Sequence, residues 1–203
     1  MIKNCYYYFQ SAVSPDVCKK IIDLGYKEKI EKSTTNLETF SKKKSEARKS
    51  FSCGLNEQWI YNLLYPYLNE ANKSAGWNFD TDWSESLQFT VYKTNNYYNW
   101  HRDSGIDESY VHNSNQKNIK GKIRKISMTL LLNDGKDFKG GDLQFDMGRN
   151  DMGVSKKSIL TCKEARFQGS IIFFPSFIHH RVSPVTKGTR YSLVMWTLGK
   201  PFR

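Results

Sequence analysis

Apolar side chains recur at helical spacing in two segments near the start of the chain. Between residues 56 and 75 they are Trp59, Ile60, Leu63, Leu64, Tyr67, Leu68 and Ala71. This pattern predicts an amphipathic helix that Pro66 kinks or interrupts. An earlier helix is predicted from Ser14-Pro15-Asp16 to Leu24, because a capping serine is followed by proline at the first helical position. Gly25 is the expected stop.

From about residue 84 the pattern becomes that of strands. Leu87, Phe89 and Val91 alternate with Gln88 and Thr90. Similar short segments predict strands at 1–10, 97–101, 126–132, 143–145, 170–174, 179–182 and 190–198. Polar segments at 26–50, 104–122 and 146–165 predict loops or edge structure. Many short strands after a helical start predict an α+β fold with a sandwich or barrel core, in one domain over residues 1–203.

The composition agrees with one folded domain, because 38% of the 203 residues are hydrophobic. The net charge of +11 would suit a polyanion, but the basic residues are spread through polar segments. Nucleic acid is therefore a disfavoured partner that the charge leaves open. The sequence contains no run of about 18 apolar residues, so no membrane span is expected. It also lacks the pattern of a signal peptide. Cys5, Cys18, Cys53 and Cys162 lack metal-site spacing, so we expect free thiols and a cytoplasmic protein.

The tripeptide His101-Arg102-Asp103 indicates a metal site. On a strand, residues i and i+2 point to the same face, so His101 and Asp103 could enter one cavity while Arg102 points away. One further histidine, His179 or His180, would complete a metal-ligand set of two imidazoles and one carboxylate. This set suits iron(II) with open positions, and zinc could use the same ligands.

Three segments resemble the 2-oxoglutarate- and Fe(II)-dependent oxygenases of the prolyl 4-hydroxylase type, particularly their bacterial and phage members. The segment from Phe174-Pro175-Ser176 through His180, Val182 and Pro184 to Gly188-Thr189-Arg190 matches the family's Phe-Pro-Ser, metal His, Val-x-Pro-Val and Gly-x-Arg. The segment from Tyr97 to Asp103 matches its Tyr-x-x-His-x-Asp. Gly140-Gly141-Asp142-Leu143 is similar to its Gly-Gly-Glu-Leu turn, with Asp for Glu. The resemblance covers roughly residues 84–200.

The resemblance implies a double-stranded β-helix, or jelly roll, over residues 84–200, with residues 1–83 as helical support and a flexible loop. It selects His180 over His179 as the third metal ligand beside His101 and Asp103. It implies that Arg190 binds the distal carboxylate of 2-oxoglutarate and that Tyr92 assists it. Ser192, two residues after Arg190 on the same strand face, could add a hydroxyl contact.

The implied cofactors are Fe(2+), 2-oxoglutarate and O₂, with ascorbate as a reductant, in a bacterium or phage-infected cell. The implied reaction is hydroxylation of a C–H bond, with peptidyl proline as the favoured substrate. Two alternatives stay open: an oxygenase of the same superfamily that acts on a free amino acid or nucleic acid, and a non-enzymatic barrel that binds a metal or a 2-oxo acid. Trp196 counts against nucleic acid, because demethylases of this superfamily carry a second Arg at that position.

The polar loops at 34–50, 104–122 and 147–157 are the expected lids or substrate surfaces. Trp100, Trp196 and Arg124 are further candidates for the pocket wall, and packing or surface roles compete for each. His112 is expected on the surface.

Overall fold

The computed structural model describes residues 4–33, 47–106, 110–148 and 158–202. Most of the predicted loop at 34–50, part of the loop at 104–122 and nearly all of the loop at 147–157 lie outside the described residues. The predicted lid role of these loops therefore stays a prediction.

Two helices occur in the described part of the chain, α1 (Pro15–Gly25) and α2 (Gln58–Ser74). The Ser14 hydroxyl accepts a 3.3 Å hydrogen bond from the Val17 amide, which confirms the predicted cap. Pro66 lies inside α2, so the helix continues through it. Ile60, Leu64 and Leu68 form the buried stripe of α2, and each buried side chain of this size contributes roughly 1.5–3 kcal/mol.

Gly25 ends α1, as predicted. It is the last residue of the helix, and the αR residue Tyr26 caps it. A Cβ atom at Gly25 would lie 2.3 Å from the Phe89 ring, so glycine is needed here for close packing. Tertiary packing, and not a left-handed backbone conformation, therefore sets the requirement for glycine here.

The strands are short, every strand pair among the described residues is antiparallel, and most partners are distant in sequence. Their bounds are β1 (Tyr7–Phe9), β2 (Glu31–Lys32), β3 (Arg48–Lys49), β4 (Phe51–Leu55), β5 (Trp83–Ser84), β6 (Leu87–Tyr92), β7 (Tyr97–His101), β8 (Ile123–Leu131), β9 (Phe138–Gly140), β10 (Leu143–Asp146), β11 (Ile159–Thr161), β12 (Ile171–Pro175), β13 (His180–Val182), β14 (Val185–Gly188) and β15 (Arg190–Gly199). A 3-10 helix, Lys163–Arg166, follows β11.

Two larger sheets contain most of these strands. Within the described residues, the first sheet has the order β1-β12-β8-β15-β6-β4-β2, and β5 also pairs with β15. The second has the order β11-β10-β13-β7-β3, and β14 pairs with β9 separately. The N-terminal region therefore adds strands to both sheets besides its helices.

The main hydrophobic core lies between the two helices and the first sheet. Its buried members include Ile21 of α1, Leu64 of α2, Phe89 of β6 and Leu193 of β15. This packing leaves the opposite face of the first sheet for a cavity that both sheets line. Neither described helix combines the length and the apolar content needed to cross a membrane.

Candidate active site

A cavity that opens to solvent lies between the two sheets. Its lining residues are Arg48, Gln88, Tyr92, Tyr98, His101, Asp103, Met128, Thr129, Leu143, Phe174, His180, Val182, Arg190, Ser192, Val194 and Trp196. All six predicted site residues are in this set.

His101, Asp103 and His180 converge at one point of the cavity. One potential ligand atom from each lies within 4.8 Å of the others. His101 Nε2 is 3.5 Å from Asp103 Oδ1, and His180 Nε2 is 3.6 Å from Asp103 Oδ2. Two imidazole nitrogens and a carboxylate at these distances can bind one divalent metal ion on one side and leave its other side open.

The orientation of both imidazoles is set by their other nitrogen. His101 Nδ1 is 2.7 Å from the Asn99 carbonyl oxygen, and His180 Nδ1 is 2.9 Å from the Ile178 carbonyl oxygen. Since a carbonyl only accepts, each Nδ1 carries the proton and donates it. The lone pair of each Nε2 is then free for a metal, as in most protein histidine–metal sites.

Asp103 is positioned differently from the prediction. Strand β7 ends at His101, so Asp103 does not share a strand face with it. The Asp103 amide instead donates a 2.9 Å hydrogen bond to the Ser176 carbonyl. The Ser127 hydroxyl donates a 2.6 Å hydrogen bond to Asp103 Oδ2 and also lies 2.9 Å from the Ser176 hydroxyl. Two segments distant in sequence therefore hold this carboxylate.

Burial and neighbouring charge favour the metal-binding protonation states. Burial, reinforced by the nearby His101, lowers the pKa of His180 to about 4, so this ring is neutral at pH 7. Burial alone would raise the pKa of the Asp103 carboxyl, but His180 and His101 hold it well below its usual range. Asp103 is therefore ionised, as a metal ligand must be.

Arg190 occupies the inner part of the cavity and is only 2% exposed. Its Nη1 donates a 2.9 Å hydrogen bond to the Ser192 hydroxyl, and its guanidinium carbon lies 5.4 Å from the centre of the Tyr92 ring. Tyr92 and Arg190 are direct cross-strand partners on β6 and β15. Among the described residues no carboxylate pairs with Arg190, so the guanidinium can take a carboxylate from a ligand.

The Gly140-Gly141 turn makes room for Arg190. Both glycines have positive φ, 69° and 66°, a conformation that side chains other than glycine rarely adopt. A Cβ atom at Gly141 would lie 3.1 Å from Arg190 Cδ, and one at Gly140 would lie 2.1 Å from the Pro184 carbonyl oxygen. The motif is thus needed for close packing behind the guanidinium.

The model of the 2OG-Fe(II) oxygenase superfamily matches residues 87–198. The chain belongs to this superfamily. The match begins with β6 and ends one residue before β15 does, so every predicted site residue lies within the matched range.

Relatives and solved structures agree with this assignment. A PKHD-type hydroxylase from Gloeothece citriformis is 33% identical over 111 residues, which are 55% of this chain and 41% of that protein. A viral collagen prolyl hydroxylase from Paramecium Bursaria Chlorella virus-1, solved with 2OG, superposes with a TM-score of 0.67 at 17% identity and 97% coverage of both chains. A prolyl hydroxylase from Trichoplax adhaerens, in complex with a hypoxia inducible factor peptide fragment, superposes at 0.63 and 14% identity over 96% of this chain and 84% of that one.

These matches confirm the α+β class and the jelly-roll core of the chain. The sequence match spans less than half of the Gloeothece protein. At 14–17% identity the solved structures establish the fold alone.

The two adjacent histidines have separate surroundings. His180 is 5% exposed and faces the cavity. His179 Nδ1 is instead 3.8 Å from Asp146 Oδ2, and the His179 ring packs 5.8 Å from the Trp100 ring. His179 lies just before β13 and is not among the cavity-lining residues.

Of the remaining candidates below, Trp196 lines the cavity, whereas Arg124 and His112 are not among its lining residues. Trp196 lines the cavity, and the Arg124 guanidinium stacks 4.1 Å from its ring centre. Arg124 also makes a two-pronged pair with Glu85, at 2.6 Å for both contacts. His112, 3.8 Å from Glu85, is partly exposed and is not among the cavity residues.

Two cavity residues beside the metal cluster were missed by sequence reasoning. The Tyr98 ring stacks on His101 with 3.5 Å between ring centres. The guanidinium carbon of Arg48 lies 4.7 Å from the centre of the Tyr98 ring. Tyr98 lies within the Tyr97–Asp103 motif, so the sequence could have indicated it as a site residue. Arg48 offered none, because it reaches the cavity only through the pairing of β3 with β7.

Proposed function

We propose that this oxygenase hydroxylates an unactivated C–H bond, with peptidyl proline as the substrate class. The observation that carries the proposal is the pairing, in one cavity, of a His-Asp-His cluster with a buried guanidinium that lacks a carboxylate partner among the described residues. A metal site alone would fit many reactions. The positive charge of the Arg190 guanidinium favours a co-substrate that has a second carboxylate.

In this proposal His101, Asp103 and His180 hold Fe(2+) through two Nε2 atoms and one carboxylate. Arg190 binds the distal carboxylate of 2-oxoglutarate, and Tyr92 and Ser192 support it from the same end of the cavity. Iron(II), 2-oxoglutarate and O₂ together supply the oxidising chemistry, which yields succinate, CO₂ and a hydroxylated substrate.

The protein contributes binding, orientation and exclusion of water. The two donated Nδ1 protons keep both Nε2 atoms directed at the metal, and Ser127 keeps Asp103 in place. Arg190 compensates a carboxylate that would otherwise be buried without a partner. Apolar residues such as Met128, Phe174 and Val194 line the rest of the cavity and limit the entry of water.

A peptide substrate is supported by the two structural neighbours, one named a collagen prolyl hydroxylase and the other bound to a peptide. A free amino acid and nucleic acid are the competing substrates. Ascorbate is proposed as a reductant. A cytoplasmic location is supported by the four free cysteines.

The test measures succinate formation with Fe(II), 2-oxoglutarate, and a panel of proline peptides, free amino acids and oligonucleotides. We expect a proline peptide to stimulate turnover and to gain one oxygen atom by mass spectrometry, while its Pro→Ala counterpart does neither. Stimulation only by an amino acid or an oligonucleotide would replace the substrate class. Absence of turnover with the whole panel, together with absence of 2-oxoglutarate binding to the anaerobic metal-loaded protein, would overturn the oxygenase activity itself.

A further inference from the structure

A second cavity lies around Lys125, and it shares no lining residue with the active-site cavity. This Lys125 cavity encloses about 730 Å³ of space that opens to solvent. Its lining residues are Asn78, Phe79, Asp80, Lys125, Lys200, Pro201 and Phe202. Nothing in the proposed oxygenase chemistry uses these residues.

Lys125 is the central feature of this cavity. It is only 4% exposed, although lysine is among the residue types least often fully buried. Its Nζ lies 3.4 Å from the centre of the Phe202 ring and 6.0 Å from that of Phe79. Among the described residues, no carboxylate or other acceptor lies within hydrogen-bonding distance of this ammonium. The ring contacts stabilise its charge but leave its three donors unused.

A β-bulge places Lys125 in this position. Arg124 pairs with Leu198, and Ile126 pairs with Thr197, so Lys125 is an extra residue on β8 opposite β15. Bulges of this kind redirect a side chain. The Lys125 carbonyl still accepts a 3.0 Å hydrogen bond from the Ser176 amide, so the backbone around the bulge is firmly held.

The aromatic walls and the charged groups of the Lys125 cavity indicate the class of ligand that it would bind. The Phe79 and Phe202 rings meet edge to face at 5.1 Å, and Phe177 packs on Phe202 at 5.6 Å, so one wall is a rigid aromatic surface. The charged lining groups are Lys125, Lys200 and Asp80, two positive and one negative. Burial lowers the pKa of Lys125, a penalty that a bound anion would relieve.

We propose that the Lys125 cavity binds a small organic monoanion, a carboxylate that carries an aromatic or other apolar group. The carboxylate accepts hydrogen bonds from the Lys125 ammonium, and the apolar group packs against the phenylalanine rings. Lys200, at the exposed rim, adds attraction for the anion.

Benzoate is the probe, and benzyl alcohol is its neutral counterpart. We expect benzoate to bind with a Kd of about 1 mM and to shift the backbone amide resonances of residues 78–80, 200 and 202. Benzyl alcohol is expected to bind at least about tenfold more weakly, because it cannot pair with the ammonium. Equal binding of the two probes would overturn the proposal that the cavity recognises an anion.

Variants separate this site from Arg190, which could also take a carboxylate. Lys125→Met is expected to weaken benzoate binding at least about tenfold, whereas Arg190→Met and the exposed control Lys136→Met are expected to leave it unchanged. Saturation with 2-oxoglutarate should not compete. Loss of binding in Arg190→Met alone, or absence of shifts in the native protein, would overturn the proposal. The resonance shifts of the native protein decide the question even if Lys125→Met does not fold.

Discussion

His101 and His180 are direct cross-strand partners on β7 and β13, and their ring centres lie 4.2 Å apart. Each ring donates its Nδ1 proton to the carbonyl two residues earlier on its own chain segment. One cross-strand pair therefore provides two pre-oriented nitrogen donors. Asp103 completes the cluster from a segment that follows β7.

The first prediction concerns the choice between the adjacent histidines. His180→Ala should lower the affinity for Fe(II) or Co(II) by more than about 100-fold, because losing a ligand exceeds the effect of losing an orienting contact. His179→Ala should retain the native affinity, because His179 faces Asp146 and Trp100. Anaerobic Co(II) titration followed by absorbance measures both. The reverse result would move the metal ligand to His179.

The second prediction concerns the hydroxyl that holds Asp103. Ser127→Ala removes the 2.6 Å hydrogen bond to Asp103 Oδ2 and should weaken metal binding by about tenfold. Ser84→Ala is the matched control, since Ser84 is also buried and hydrogen-bonded, to Thr197, but is not a cavity residue. The same Co(II) titration applies. Equal effects of the two substitutions would show that Ser127 acts only through stability.

The third prediction concerns Arg190, where function and stability should oppose each other. Arg190→Met should weaken 2-oxoglutarate binding by at least about 100-fold, because two charge-assisted hydrogen bonds are lost. It should also raise the free energy of unfolding of the ligand-free protein by about 1 kcal/mol, because a buried charge without an ionic partner is removed.

Calorimetric titration and urea unfolding measure these two effects. Arg181→Met is the control, because the Arg181 side chain donates a hydrogen bond to the Gln144 side chain and does not line the cavity. Retained 2-oxoglutarate affinity in Arg190→Met would contradict the proposed role of the guanidinium.

The fourth prediction concerns stability at alkaline pH. Burial raises the pKa of the Cys18 thiol to about 11, compared with about 8.5 in an unfolded chain. The unfolded state therefore loses its proton first, so stability that is fully present below about pH 8.5 should fall as the pH rises towards 11. The loss from Cys18 should be on the order of 2–3 kcal/mol.

Urea unfolding with a reductant at several pH values between 8 and 11 measures this loss. Cys18→Ala should flatten the decline, although not abolish it, because burial also raises the pKa of Cys162 to about 12. An unchanged decline in the variant would show that the thiol of Cys18 is not its cause.

Local patterns predicted many elements of this fold well. The cap at Ser14, the stripe of α2 and the alternation in β6 follow from interactions between residues close in sequence. The site residues were equally visible as motifs, and the cavity includes all of them. One error, at the strand position of Asp103, arose where a distant segment sets the local requirement.

Residue spacing and motif resemblance were thus enough to indicate the jelly-roll class and the six residues that the structure brings into one cavity. Only the folded chain shows that Ser127 and Ser176 hold Asp103, that Arg48 covers Tyr98, and that Lys125 is buried in a cavity of its own. The physical reason is that these contacts join segments tens of residues apart. Their geometry depends on sheet register and on one bulge, which no local pattern encodes.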